Sequence, residues 1–413
     1  MLSVDDARER ILSTIERCEV TPVDLAESHG LVLAENVVAE HPVPPFRNSA
    51  MDGYAIRAAD VSSANWDSPI ALRVVGELPA GAVPDTGVGS GETIRIMTGA
   101  AMPDGADTVV RFEETSEFTG TLGFLDDDSD EWFVEIRKPQ KQGANVREAG
   151  EDIALGKRVL PAGRVIHAAE MGILASLNFA QVPVYRRPIV GILATGNEVI
   201  DPGQPLRRGQ IRNSNNYTLA GLVREAGAEP RVLGVARDEV DQLRSALSDA
   251  SDVDLLLTSG GVSLGDYDVV KDVLQSEGRI ELWQVRIKPG KPMAFGYIGN
   301  VPLVGLPGNP VAAYIAFLQF ARPAIRKMLG QSSWELPTGQ ARLLVEHENR
   351  GNRRHFVRGV CLQENREFVV RPVETQGSGV LTSVTEANCL FIIPEGLDHA
   401  PEGLSVEVHW LRE

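Results

Sequence analysis

Asp254-Leu255-Leu256-Leu257-Thr258-Ser259-Gly260-Gly261-Val262-Ser263-Leu264-Gly265-Asp266-Tyr267-Asp268 is the stretch on which the fold turns. Its leucines make an apolar run of strand length, and Gly260-Gly261 let the backbone bend sharply before a helix-like segment, Val269 to Gln275. A strand that ends in two glycines ahead of a helix aims amide N–H groups and a positive helix end at a phosphate-like anion. Asp266 and Asp268 would repel that anion unless a divalent cation bridged carboxylate and ligand oxygen, and hard oxygen ligands suit magnesium. Taken alone, such a turn is more often a plain loop.

The same alternation extends in both directions, from Arg187 to about Gly330. Pro188 to Leu193 is a buried-strand run, and Asn213 to Gly227 carries Leu219, Leu222, Val223 and Ala226 at helical spacing before a terminating glycine. Arg231 to Ala236 is the next strand, with Asp238 expected to cap a helix bearing Val240, Leu243 and Leu247. A strand pair surrounds Ile287-Lys288-Pro289-Gly290-Lys291-Pro292, and Val301 to Leu306 leads into Pro307-Gly308-Asn309-Pro310. There Asn309 suits an N-cap and Pro310 the first position of a long apolar helix to Met328. Strands alternating with helices read as a doubly wound, mostly parallel sheet, in which ligands collect at the carboxyl ends of strands. The turns at Thr195-Gly196, Gly260-Gly261, Lys288-Pro289 and Pro307-Gly308 are therefore expected to share one crevice.

Elsewhere the pattern changes. From about Pro337 onward, short alternating strands (Ala341 to Val345, Phe356 to Leu362, Phe368 to Pro372, Ser405 to Leu411) indicate a small β domain. Ahead of Arg187 come an amphipathic helix with Val4, Ala7, Ile11 and Ile15, a second helix expected around Pro22 to Gly30, and a Gly- and Pro-rich β-like region from Asn48 to Gln140. Within the last, Thr115 to Asp130, with Asp126-Asp127-Asp128, reads as a solvated insertion.

Length and composition narrow the function. At 413 residues several domains are expected. A formal net charge of -17 argues against nonspecific binding to nucleic acid or an anionic membrane, so an anionic substrate needs a local basic pocket. No apolar run approaches the roughly 20 residues that span a bilayer, and the acidic start Met1-Leu2-Ser3-Val4-Asp5-Asp6 lacks a signal pattern; a cytoplasmic location is expected. Cys18, Cys361 and Cys389 lie far apart without metal-type spacing and read as buried thiols. The seven histidines are scattered, and His347 and His355 read as surface strand or loop residues.

Several further strings place acids or hydroxyls beside small residues: Asn48-Ser49-Ala50-Met51-Asp52-Gly53-Tyr54-Ala55, Arg95-Ile96-Met97-Thr98-Gly99-Ala100 and Gly150-Glu151-Asp152-Ile153. On local grounds Asp52 is a turn former before Gly53. Together with Ser259 to Ser263, Lys288 to Pro292 and Gly305 to Pro310, and in this order, the strings resemble the molybdopterin molybdenumtransferase family, bacterial MoeA and the gephyrin E domain. Thr375 to Leu381 and Glu386-Ala387-Asn388 resemble its C-terminal domain, so the likeness spans essentially the whole chain.

The resemblance implies an α/β multidomain protein with these parts: an elongated helical and mixed dimer-forming region at 1–45 and 141–186, an inserted β-rich domain at 46–140, the central α/β molybdopterin-binding domain at 187–332, and a C-terminal β-barrel-like domain at 333–413. It implies insertion of molybdate into adenylylated molybdopterin with release of AMP, assisted by Mg2+. Asp268, Glu198 and Asp238 are the implied metal ligands; with Asp52, Asp152 and Lys288 they form the implied catalytic set. Thr98, Gly260, Gly261, Ser263, Arg237, Lys291, Pro307 and Pro310 are the implied binding residues, with Arg237 and Ser263 assigned to molybdate. Lys288 and Lys291 flank a Pro-Gly turn that fixes two ammonium groups on a stiff loop. A homodimer with a composite active site, and the adenylyltransferase that supplies the adenylylated pterin, are the implied partners. Asn197 and Asn213 stand where the family often has Asp, and Gln284 where it often has a basic residue, which keeps a tungstate-preferring paralogue open. A non-catalytic scaffold is the alternative from another class; retention of Asp52, Asp268 and Lys288 together favours the enzyme. An adenylyltransferase of similar strand-Gly-Gly type is a single small domain and leaves about 250 residues without a role.

Overall fold

The structure, a computed structural model, describes residues 1–119, 124–125, 131–237, 239–261 and 278–411. The chain divides into two compact units: Met1–Glu35 with Ala162–Met171 and Gln181–Glu413, and Asn36–Pro161 with Gly172–Ala180.

The first unit is built on a six-stranded sheet in the order Glu229–Ala236, Ile189–Thr195, Leu255–Ser259, Val301–Leu306, Pro292–Ile298, Gly278–Gln284. The first four strands are parallel; Pro292–Ile298 runs antiparallel to them, and the edge strand Gly278–Gln284 is antiparallel to Pro292–Ile298 in turn. Side chains alternate across the sheet with period two. Val190, Ile192, Leu255 and Leu257 enter the core shared with the Asn215–Glu225 helix, whereas Leu193 and Leu256 enter the one beneath Leu243 and Leu247 of the Val240–Ser248 helix. Both faces are thus covered, and each fully buried Val, Ile or Leu contributes roughly 1.5–3 kcal/mol. Pro310 opens the next helix with Asn309 at its N-cap, though the Asn309 side chain makes no capping bond.

That helix does not run uniformly to Met328. Pro310–Ala316 passes into a π-helical turn, Phe317–Ala321, and then Arg322–Met328. Pro323 has no N–H for the carbonyl of Gln319. Arg8 of the Val4–Thr14 helix replaces it, donating Nε to Gln319 O at 3.2 Å and Nη2 to Gln319 Oε1 at 3.1 Å.

After Gln331 a closed β-barrel forms. Arg354–Glu364 pairs with Glu367–Pro372 and Cys389–Ile393, and Thr338–Leu343 and Ser405–Trp410 complete the ring. The barrel is joined to the α/β sheet by parallel pairing of Ile287↔Arg354 and Lys288↔His355. In the second unit a six-stranded sheet runs in the order Thr108–Arg111, Gly53–Ile56, Glu92–Ile96, Ile70–Leu78, Trp132–Ile136, Phe124–Leu125, with apolar clusters around Tyr54 and around Ile94.

Three expectations change. Val20–Asp24 is a strand paired with Gln181–Tyr185, followed only by the short 3-10 turn Leu25–Glu27; Val20, Thr21 and Val23 favour the pleat, and no helix spans Pro22 to Gly30. The N-cap of Val240–Ser248 is Glu239, without a side-chain bond, rather than Asp238, because the Glu239 carbonyl already accepts from Leu243 N at 3.1 Å. Thr115 and Ser116 are buried rather than solvated, with Ser116 N bonded to Glu135 O, whereas Asp126 to Asp128 lie outside the described residues. Of the thiols, Cys361 and Cys389 are buried and Cys18 is half-buried.

Candidate active site

At the carboxyl ends of the parallel strands lies a cavity of about 980 Å³. All four expected turns, Thr195-Gly196, Gly260-Gly261, Lys288-Pro289 and Pro307-Gly308, line it. Gly260 has φ +93°, and a Cβ there would stand 2.9 Å from Thr195 Oγ1 and 3.0 Å from Thr195 O. Only glycine lets this turn lie against its neighbour. The turns are also tied together: Asn215 Nδ2 donates to Ser259 Oγ at 2.6 Å and to Gly308 O at 2.8 Å, and Gly260 N donates to Leu306 O at 3.1 Å.

Lys288 is half-buried, and Lys291, three residues on, is exposed. Burial holds the Lys288 ammonium below its ordinary lysine range, and nearby Arg353 lowers it further. Glu198 sits at the rim, exposed, next to Gly196. Pro307 and Pro310 line the cavity as well. Arg237 is exposed and is not among the described lining residues. Ser263, Asp268 and the helix expected after them lie outside the described residues, as does Asp238.

The barrel supplies a wall that motif reading did not anticipate: Arg353, His355, Gln376 and Ser378. His355 is 3% exposed, which corrects its reading as a surface residue; pairing of its strand with Ile287–Lys288 carries it inward. Its Nδ1 is 3.1 Å from His347 Nε2. Burial, then the positive charge of Lys288, pushes the His355 imidazole down to about 2; the same two causes lower His347. The His355 ring is therefore neutral at neutral pH beside the cations, and His347 is driven in the same direction. Behind this wall, Arg358 is fully buried and donates to Ser383 Oγ at 3.1 Å, Gly377 O at 3.2 Å and Thr375 O at 3.3 Å. Gln376 returns two bonds, to Arg358 O and Val373 O, and Ser378 O accepts from Val311 N at 3.0 Å. Arg358 thus holds the loop that brings Gln376 and Ser378 to the cavity. Gln376 and Ser378 flank Gly377 in the string Thr375 to Leu381, a glycine signal that could have marked them, whereas Arg353 and His355 lie in no string that the sequence reading singled out.

In the second unit Asp52 and Thr98 do meet. Asp52 Oδ1 accepts from Thr98 N and Thr98 Oγ1, both at 2.7 Å, and these two bonds, the backbone one first, hold the carboxyl below its usual range. The following Gly53 has no room for a side chain, since a Cβ would lie 1.9 Å from Val110 O. Asp152 is exposed in the same unit. Asn213 is buried, with Nδ2 on Asp201 Oδ1 at 2.8 Å and its own oxygen accepting from Asn216 N at 3.2 Å. An amide suits both partners there, whereas a carboxylate would face Asp201.

A doubly wound sheet with an anion-suited cleft at the carboxyl ends of its parallel strands, docked on a barrel, defines a class of ligand-binding α/β proteins. Three family models match: MoeA N-terminal region (domain I and II) over residues 2–178, a probable molybdopterin binding domain over 191–327, and MoeA C-terminal region (domain IV) over 340–411. The molybdopterin molybdenumtransferase of Haemophilus influenzae is 34% identical over 412 residues, covering 99% of this chain and 98% of that one. That of Bacillus subtilis is 34% identical over 414 residues, covering 100% and 94%. The crystal structure of a molybdopterin biosynthesis MoeA protein from Pyrococcus horikosii superposes with a TM-score of 0.84 at 30% identity, covering 100% of both chains. The chain belongs to the molybdopterin molybdenumtransferase family.

Proposed function

We propose that this chain inserts molybdate into adenylylated molybdopterin and releases AMP, as a step of molybdenum cofactor biosynthesis. The observation that carries this is the cavity itself: in a chain of net charge -17, Lys288, Lys291 and Arg353 gather at one cleft beside a Gly-Gly turn. Backbone turns fixed before the ligand arrives, with cations gathered beside them, stabilise an oxyanion and the charge that develops on phosphate as an anhydride opens. A purely structural role is not favoured by that arrangement, since a scaffold has no use for cations concentrated at one cleft; preference for molybdate over tungstate is read from the relatives named molybdenumtransferase and not from the charge.

Magnesium fits the oxygen chemistry of Glu198, and Glu198, Asp238 and Asp268 are the residues proposed to hold it. Among the described residues no group of three His, Cys, Asp or Glu is close enough to hold a metal. When bound, the cation would offset phosphate charge. Asp52, Thr98 and Asp152 are proposed to act from the partner subunit of a homodimer, and the adenylyltransferase that makes the adenylylated pterin is the proposed donor. Among the described residues no helix is long and apolar enough to cross a membrane, and a cytoplasmic enzyme is the proposal consistent with that.

The direct test incubates purified protein with adenylylated molybdopterin, magnesium and molybdate, and measures AMP and active cofactor. AMP at the level of the protein-free control, from folded protein, would refute the proposal. Omitting magnesium should abolish release, and Asp268→Asn should do the same without unfolding the chain. A monomeric mass at micromolar concentration with full activity would rule out the composite site.

A further inference from the structure

The cavity's cations belong to the proposed reading already, but the paired imidazoles beneath them do not. His355 lines the cavity from the Arg354–Glu364 strand while being 3% exposed. Its Nδ1 is engaged by His347 Nε2 at 3.1 Å, which leaves Nε2 as its remaining polar ring atom. The two rings lie 5.0 Å apart, and the His347 ring meets Phe391 edge-on at 5.8 Å and 83°, so its plane is confined from behind. Arg353 stands two residues before His355, and Lys288 is its partner across the parallel strand pair. Arg358, three residues on and buried, is a further cation on the same strand, and Arg354, next to His355, is paired with Asp5.

We propose that His355 is an oxyanion-contacting residue of this cavity, presenting Nε2–H to bound molybdate, and that His347 is the positioning residue that fixes this tautomer by donating its own Nε2–H to His355 Nδ1. The proposal rests on molybdate being the cargo. An imidazole with both nitrogens in a chain of hydrogen bonds has one orientation and one tautomer, set by the outer partner. An oxyanion offers only acceptors, so the matching tautomer carries its proton on Nε2. Neighbouring Lys288, Arg353 and Arg358 disfavour a second proton on the pair, and the ring contributes direction without more charge. Lysines orient an anion weakly because their ammonium groups swing on flexible stems; a ring held from behind does not. The role is thus to fix which face of the tetrahedral ion turns toward the pterin substrate.

The experiment titrates molybdate alone into the full-length protein by calorimetry, and records two-bond 1H–15N spectra of the histidines in the bound and free states. His355→Phe keeps the ring's bulk and removes Nε2; affinity should fall about tenfold to a hundredfold, the loss of one hydrogen bond to a charged group. His347→Phe should weaken binding less and turn the His355 spectrum into a mixture of tautomers, while His347→Gln, which keeps a donor, should restore a single Nε2–H species. Wild-type affinity in His355→Phe, or a His355 proton on Nδ1 in the bound protein, would overturn the inference and leave the proposed activity standing. Failure of the wild type to bind molybdate at all would remove both.

Discussion

The cavity has two walls of different make. On the sheet side, the turns after Thr195, Ser259 and Leu306 offer mainly backbone: glycines, prolines and amide groups held by strand ends. On the barrel side, Arg353, His355, Gln376 and Ser378 offer side chains, placed by strand pairing and by a buried arginine. The difference teaches that geometry and charge are supplied separately. The sheet wall should tolerate no change of backbone at its turns, with Glu198 and Asn215 as its side-chain contributors; the barrel wall should lose affinity residue by residue while the fold persists.

The largest effect expected is at Gly260. Gly260→Val forces a branched Cβ against Thr195 at a positive φ, and displacement of the turn by even 1 Å should cost AMP release about a hundredfold or more. If Gly260→Val retains activity within a few-fold, the sheet wall is not the geometric one. Arg353→Ala comes next, with the KM for molybdate rising about tenfold to a hundredfold and the melting temperature hardly moving. A fall in stability without a change in KM would make Arg353 structural and break the contrast. Arg358→Met should lose about 2 kcal/mol of stability, from three hydrogen bonds of which two go to the backbone carbonyls of its loop, and raise KM more than it lowers kcat.

The smallest effect concerns the entry to the sheet. Asp254 accepts from Arg186 Nη1 and Nη2 and from Ile189 N, all at 2.7 Å. Burial works to raise this carboxyl, but the Arg186 pair and the amide hold it below the ordinary value. Because the folded value is depressed, the stabilisation is present above the unfolded value of about 3.9 and is lost as pH falls through the lower folded value. Asp254→Asn should therefore lower the melting temperature at neutral pH, and the gap to wild type should narrow on acidification below about pH 4. A gap independent of pH would show that the ion pair contributes nothing.

These walls also differ in how far the sequence discloses them. Parallel strands buried on both faces announce themselves as unbroken apolar runs, and their carboxyl-end turns need glycine and proline, so Gly260, Gly261, Lys288 and Pro307 can be located by local pattern alone. His355 sits in the Arg354–Glu364 strand and Arg353 immediately before it; the register of that strand against Ile287–Lys288 is a tertiary fact, and nothing within a few residues of them signals it. Pro22 misled for a similar reason: a pairing partner 161 positions away, Pro183, made a strand of what reads locally as a helix start. Asp52 and Thr98 illustrate the middle case, since each lies in a recognisable string but only pairing of Gly53–Ile56 with Glu92–Ile96 brings the two to 2.7 Å.

Asn215 has a consequence for the price of ligand capture. One amide group clasps the end of the Leu255–Ser259 strand and the turn after Leu306, so the spacing of those two turns is settled when the chain folds. An arriving anion then has only lysine and arginine stems left to immobilise, roughly 0.5–1.5 kcal/mol each, instead of two loops. The cleft behaves as a socket cut to width in advance, and replacing that single amide by alanine would turn part of its binding free energy back into the work of assembling the socket.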